Sequence, residues 1–263
     1  MKKLIFLLSA CVISVDLCST PPRALIIELE DVVLRPDKLE AIKQLGTAMA
    51  YYVLKHPTID PNSMIYGKFF RELTKVRIAG LVNNNEGDFH WGHRVPPVLA
   101  TWQKGALPCK QLLEATEKTF RHLWRNERTV LTRIAHMALS PIGYRDTHTL
   151  VDGVERFLHQ HHRYRLFLTA NCHQETLEVL RQKYPYVFEA FEGILISGEI
   201  RTTKPGPEFY RQLIGRYQLN PEECLCVEAK DANVSTARSL GMQAIKFSNF
   251  VDLEKFLREQ EQE

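Results

Sequence analysis

The chain has 263 residues, 44% of them hydrophobic and 25% charged, with 34 basic and 31 acidic side chains giving a net charge of +3. This is the composition of an ordinary soluble globular protein, long enough for one domain with a large insertion or for two modest ones. The balanced charge argues against nucleic acid or an acidic membrane surface as a partner.

The first twenty residues stand apart. Lys2 and Lys3 precede an apolar run from Leu4 to Val15 that Asp16 interrupts and Pro21-Pro22 ends. The layout is that of a secretory signal and is too short to span a bilayer. Leu8-Ser9-Ala10-Cys11 has the form of a lipobox. The expectation is therefore export, whether periplasmic, secreted or lipid-anchored at Cys11. The alternative is a cytoplasmic chain with residues 1–20 kept as a packed strand.

A strand-length apolar run follows at Ala24 to Leu29, and from about residue 35 to 140 the pattern is helical throughout. Pro36 to His56, Pro61 to Ala79, Val95 to Gln103, Pro108 to Trp124 and Glu127 to Leu139 carry apolar residues at three-and-four spacing, several with proline in the first turn. Between them, Asn83 to Arg94 is an irregular stretch with Phe89, His90, Trp91 and His93, suited to a lid loop or to a plain surface loop. Arg121, Arg125, Arg128 and Arg133 are interleaved with apolar residues and predict a solvated helix face.

Beyond residue 140, strand candidates at Arg165 to Thr169, Gly193 to Ser197, Glu223 to Val227 and Gln243 to Phe247 alternate with helices. The helices begin near Val151, His173, Pro207, Asn233 and Val251. Alternation of this kind predicts an α/β fold: a Rossmann-like parallel sheet of about five strands flanked by helices, its ligand site at the carboxyl ends of the strands. Residues 21–34 and 141–263 would form the sheet domain, and 35–140 an inserted all-helical bundle.

Two other groups draw attention. Strand alternation puts Cys224 and Cys226 on one face, poorly aimed for a disulfide, and no CxxC pair suggests structural zinc. Cys172 reads as a buried thiol near the pocket. His159, His161 and His162 lie together at a helix end, where a solvated terminus is the expectation.

Four short segments, in order, resemble the motifs of the haloacid dehalogenase superfamily. They are Ile27-Glu28-Leu29-Glu30-Asp31-Val32 after the first strand, Leu166-Phe167-Leu168-Thr169 with Asn171 following, Lys204-Pro205-Gly206-Pro207-Glu208-Phe209-Tyr210, and Val227-Glu228-Ala229-Lys230-Asp231-Ala232-Asn233. The helical insertion sits where that family places a cap. The resemblance implies a phosphoryl-transfer site. Glu28 would stand at the nucleophile position and Glu30 at the acid/base position. Thr169, Asn171 and Lys204 would face phosphate, while Glu28, Glu228 and Asp231 would hold Mg²⁺.

The acidic residues depart from the family pattern. Glu28 and Glu30 replace aspartates, which moves each carboxylate outward by about 1.5 Å, and misplacing reacting atoms by about 1 Å can cost roughly 10²-fold in rate. Ala229 occupies a second acidic position of the fourth motif. The expected function is a catalytically impaired or inactive relative, a pseudoenzyme that binds a phosphorylated small molecule or a protein partner and carries no cofactor. The alternatives are a slow Mg²⁺-dependent phosphatase with Glu28 as nucleophile, and a purely interactional protein with a vestigial cleft.

Overall fold

The computed structural model describes residues 21–55, 61–79, 89–90 and 93–260. The apolar segment 1–20, with Cys11, and residues 83–88 and 91–92 of the expected lid loop lie outside them. In chain order the elements begin with β1 (Ala24–Glu28) and β2 (Leu34–Pro36), then α1 (Lys38–Lys55), α2 (Pro61–Leu73), β3 (Phe89–His90), β4 (His93–Arg94), α3 (Pro97–Gln103), α4 (Cys109–Phe120) and α5 (Arg125–Leu139). Next come α6 (Pro141–Thr147), β5 (His148–Leu150), α7 (Val154–Gln160), β6 (Arg165–Ala170), α8 (Gln174–Lys183), α9 (Pro185–Glu189), β7 (Gly193–Ile196) and α10 (Ser197–Ile200). The chain closes with α11 (Pro207–Tyr217), β8 (Cys224–Glu228), α12 (Asp231–Ser239), β9 (Gln243–Lys246) and α13 (Phe250–Gln260).

The central sheet has the order β7-β6-β1-β8-β9, all parallel. β1 lies in the middle and is buried along its whole length, as its unbroken apolar run requires of a strand covered on both faces. Its residues alternate between two cores. Leu25 and Ile27 pack with Phe157, Leu168 and Val227 on one face, while Ala24 and Ile26 pack with Phe167, Phe209, Cys224 and Cys226 on the other. Both cysteines thus share a face, as the alternation predicts, and the described cysteines are free thiols.

A third core, including Phe69, Leu99, Trp102, Leu112, Phe120 and Ile134, belongs to the helices between β2 and β5. The short antiparallel pair β2–β5 joins that helical segment to the sheet body. Ser140 starts α6 by accepting a hydrogen bond from the Gly143 N–H at 2.9 Å, with Pro141 in the first turn.

Several expected boundaries move. The first long helix is interrupted at Gly46, whose φ of 56° is non-helical. The second stops at Leu73 rather than near residue 79, where Thr74, Val76 and Ile78 place three β-branched residues in alternation. The helix expected from Val151 begins at Val154, after Gly153 with a φ of 90°. Arg121, Arg125, Arg128 and Arg133 are exposed, as a solvated face requires. His159 and His162 are exposed too, whereas His161 turns inward and stacks on Phe157 with ring centroids 4.5 Å apart. Among the described residues no helix is long and apolar enough to cross a membrane.

Candidate functional site

The parallel pairing of β1 with β6 and β8 puts Glu28, Thr169 and Glu228 side by side at the carboxyl end of the sheet. Lys204, on the loop before α11, sends its side chain into the space between them. Its Nζ lies 3.2 Å from Glu28 Oε1, 3.2 and 3.1 Å from the two oxygens of Glu228, and 3.1 Å from Thr169 Oγ1. The ammonium side chain is fully buried, and so are those of Glu228 and Thr169. Buried charge is tolerated only when paired and hydrogen-bonded on all sides.

That condition is met. Tyr210 donates to Glu228 Oε1 at 3.0 Å, Asn233 Nδ2 donates to Glu228 Oε2 at 2.9 Å, and the Ala229 N–H donates to Glu28 Oε2 at 3.2 Å. Burial alone would raise the Glu28 pKa, but the Lys204 ammonium, a hydrogen bond from Glu228 and the Lys230 charge hold it at about 2. Glu228 goes the other way: full burial pushes it up to about 8 against the pull of Lys204. The two carboxyls titrate as a coupled pair, Glu28 shifted down and Glu228 shifted up. Burial lowers the Lys204 pKa, yet Glu228 and Glu28 more than offset it and keep the amine protonated.

The remaining expected site residues are placed differently. Glu30 lies outside this cluster and pairs with Lys230 at 2.8 Å. A tight turn sets it there: Asp31 takes a left-handed φ of 64°, and the Val33 and Leu34 N–H groups bond back to the Leu29 carbonyl. Asn171 does not present its amide to the cleft as a phosphate ligand. Its Nδ2 donates to the Lys204 carbonyl at 2.7 Å and its Oδ1 accepts the Lys204 N–H at 2.8 Å, fixing the loop that delivers the lysine. Asp231 does not join Glu28 and Glu228: it is the first residue of α12, exposed, and pairs with Lys246 at 2.7 Å. Its place in the first turn suits the helix dipole rather than a metal. Thr169 and Lys204 do meet, but they face each other.

Two contributors, Tyr210 and Asn233, belong to the quoted motifs without having been given a role. The tyrosine signal was the aromatic three residues after Pro207, on the first turn of α11.

Beside this network, between the helical segment and the ends of β1 and β6, lies a cavity of about 180 Å³. Phe69, Leu99, Trp102, Ile134 and Met137 line it from the helices, and Leu29, Glu30, Asn171 and Cys172 from the sheet side. Tyr144 and His148 stack on each other at 3.7 Å along its wall, and burial lowers the His148 pKa. Cys172 is buried, as expected, and burial pushes its thiol far up.

A parallel sheet of this order with acidic, hydroxyl and lysine side chains gathered at its carboxyl end defines a hydrolase-like α/β protein. The haloacid dehalogenase-like hydrolase family model matches residues 67–241, and the chain belongs to that family. Glu28 and Glu30 precede the matched span, whereas Thr169, Lys204 and Glu228 fall within it. Among solved structures, a HAD family enzyme from Bacteroides thetaiotaomicron is similar, with 14% identity and a TM-score of 0.57 over 88% of this chain and 95% of that one. The same enzyme in complex with magnesium and inorganic phosphate matches with a TM-score of 0.54, 14% identity and coverage of 87% and 95%. A predicted HAD-like family hydrolase from Porphyromonas gingivalis matches with a TM-score of 0.55, 15% identity and coverage of 91% and 99%. At such identities the likeness is one of fold.

The magnesium bound in the Bacteroides enzyme raises the question of fit here. Mg²⁺ demands a near-octahedral shell of oxygens. The converging oxygens of Glu28 and Glu228 are taken by an ammonium, Glu30 is held by Lys230, Asp231 by Lys246, and Ala229 has no carboxylate. As arranged, these residues do not fit the ion.

Proposed function

We propose that this protein does not hydrolyse phosphate esters and works as a binding module of the haloacid dehalogenase fold, taking a ligand in the cleft between the helical segment and the sheet. One observation carries the reading: the Lys204 ammonium sits within 3.2 Å of Glu28, Glu228 and Thr169 at once. A nucleophile needs a free carboxylate and a phosphate site needs a free cation. Here each neutralises the other, away from solvent. Thr169 and Lys204 are consumed in this network, so the cleft offers a ligand mainly apolar surface with Glu30 and the Tyr144–His148 pair as polar contacts. A phosphorylated ligand would need its phosphate to displace Glu28 or Glu228 from Lys204.

The alternative is a slow Mg²⁺-dependent phosphatase, which draws on the Bacteroides enzyme's complex with magnesium and phosphate and on the positions of Glu28 and Lys204. An assay of the chain with Mg²⁺ against a panel of phosphate esters decides between the readings. No turnover is expected from the unmodified chain, and appearance of activity in a Glu28→Asp, Glu30→Asp, Ala229→Asp variant would support loss through reach. Turnover by the unmodified chain that vanishes in Glu28→Gln would overturn the proposal.

A further inference from the structure

Away from the lysine network, the first residue of α4 meets the start of α8. Cys109 Sγ lies 3.5 Å from His173 Nδ1, and Glu175 Oε1 lies 3.7 Å from the same nitrogen. A sulfur, a nitrogen and a carboxylate oxygen from these three residues all fall within 4.8 Å of one another. We propose that Cys109, His173 and Glu175 form a zinc site that clamps the helical segment onto the sheet body.

The donor set and its spacing both suit that ion. Tetrahedral zinc with a Zn–S bond of about 2.3 Å and a Zn–N bond of about 2.0 Å separates the sulfur and nitrogen by roughly 3.5 Å, in line with the 3.5 Å found. Mixed sulfur, imidazole and carboxylate donors select a borderline-soft ion over magnesium or calcium. A thiolate and a carboxylate together neutralise the ion's two charges, and the thiol proton leaves to solvent on binding.

The surroundings already resemble an outer shell. Trp102 Nε1 donates to the Cys109 sulfur at 3.2 Å, and its indole stacks parallel to the His173 ring at 5.9 Å. His173 Nδ1 accepts the Glu175 N–H at 3.2 Å, so this nitrogen carries a lone pair rather than a proton. The ion would take over that lone pair. Cys109 and His173 are buried, while the Glu175 side chain is 47% exposed, giving a route in and leaving the fourth position to water.

The site is independent of the lysine network and of the reading above, and its test needs no activity. The metal-free full-length chain is titrated with Co²⁺ while the near-ultraviolet thiolate-to-cobalt band is followed, then with Zn²⁺, and thermal unfolding is recorded with and without Zn²⁺. The expected result is a band that one equivalent of Zn²⁺ removes, a higher midpoint with Zn²⁺, and no band in Cys109→Ser. Because Cys109 is buried, the exposed position supplies a second variant: Glu175→Gln should weaken Co²⁺ binding by at least about 10-fold while the fold stays intact. Glu228→Gln should keep the band. Absence of a band in the unmodified chain, its survival in Cys109→Ser, or its loss in Glu228→Gln would overturn the proposal.

Discussion

Lys204 shows how a motif residue can keep its identity and change its work. The four motifs bring Glu28, Thr169, Lys204 and Glu228 to one end of the sheet, and that convergence was legible from their order in the chain. Motif order did not fix the partner of the lysine, because carboxylates converging from these strands can surround either a metal ion or an ammonium. The pairing has a pH signature. Glu28, held at about 2 against an ordinary 4.5, stabilises the fold above pH 4.5, and that contribution is lost as pH falls toward 2. Glu228, raised from 4.5 to about 8, keeps a proton in the folded state that the unfolded chain releases. Its contribution is full below pH 4.5 and lost as pH rises toward 8. Urea unfolding of Glu228→Gln should therefore lose less stability between pH 5 and 8 than the unmodified chain. Parallel losses would mean that the pair does not hold its proton in this way.

At the scale of elements, the period-two and three-and-four patterns located the five sheet strands and most helices, since each periodicity reflects burial of one face or both. The β2–β5 pair escaped notice because three residues carry too little alternation to read. Contacts between elements were equally hidden. Ser197, at the start of α10, donates to the Gln103 carbonyl at 2.7 Å and accepts the Cys172 N–H at 3.0 Å, tying α3 to the sheet body. Beside it Gly105, with a φ of 67°, presses so close that a Cβ there would lie 2.2 Å from the Gly198 carbonyl oxygen. Gly105→Ala is expected to destabilise by more than about 1 kcal/mol, from positive φ and the clash together. Urea unfolding checks the loss, and faster proteolysis around residue 104 would locate it. An unchanged midpoint would show that the contact is dispensable.

The whole molecule has separate hydrophobic cores, one in the helical segment and one on each face of the sheet. Phe120 is fully buried in the first, edge-on to Phe69 at 6.3 Å. Its replacement by alanine should cost about 3–5 kcal/mol locally. Hydrogen exchange in Phe120→Ala should then rise through residues 97–139 while β1, β6 and β8 stay protected, as separate cooperative units would open. Equal loss of protection in the sheet would mean that the two bodies unfold as one.

Burial periodicity and motif order were enough to read the α/β fold and the family resemblance, because these depend on which faces of the chain are apolar and on local turns. Packing alone settled which groups touch. Lys204 meets Glu28 and Glu228 through distances set by three separate loops and strands. Cys109 meets His173 across 64 residues of chain, a separation over which no local spacing rule carries information.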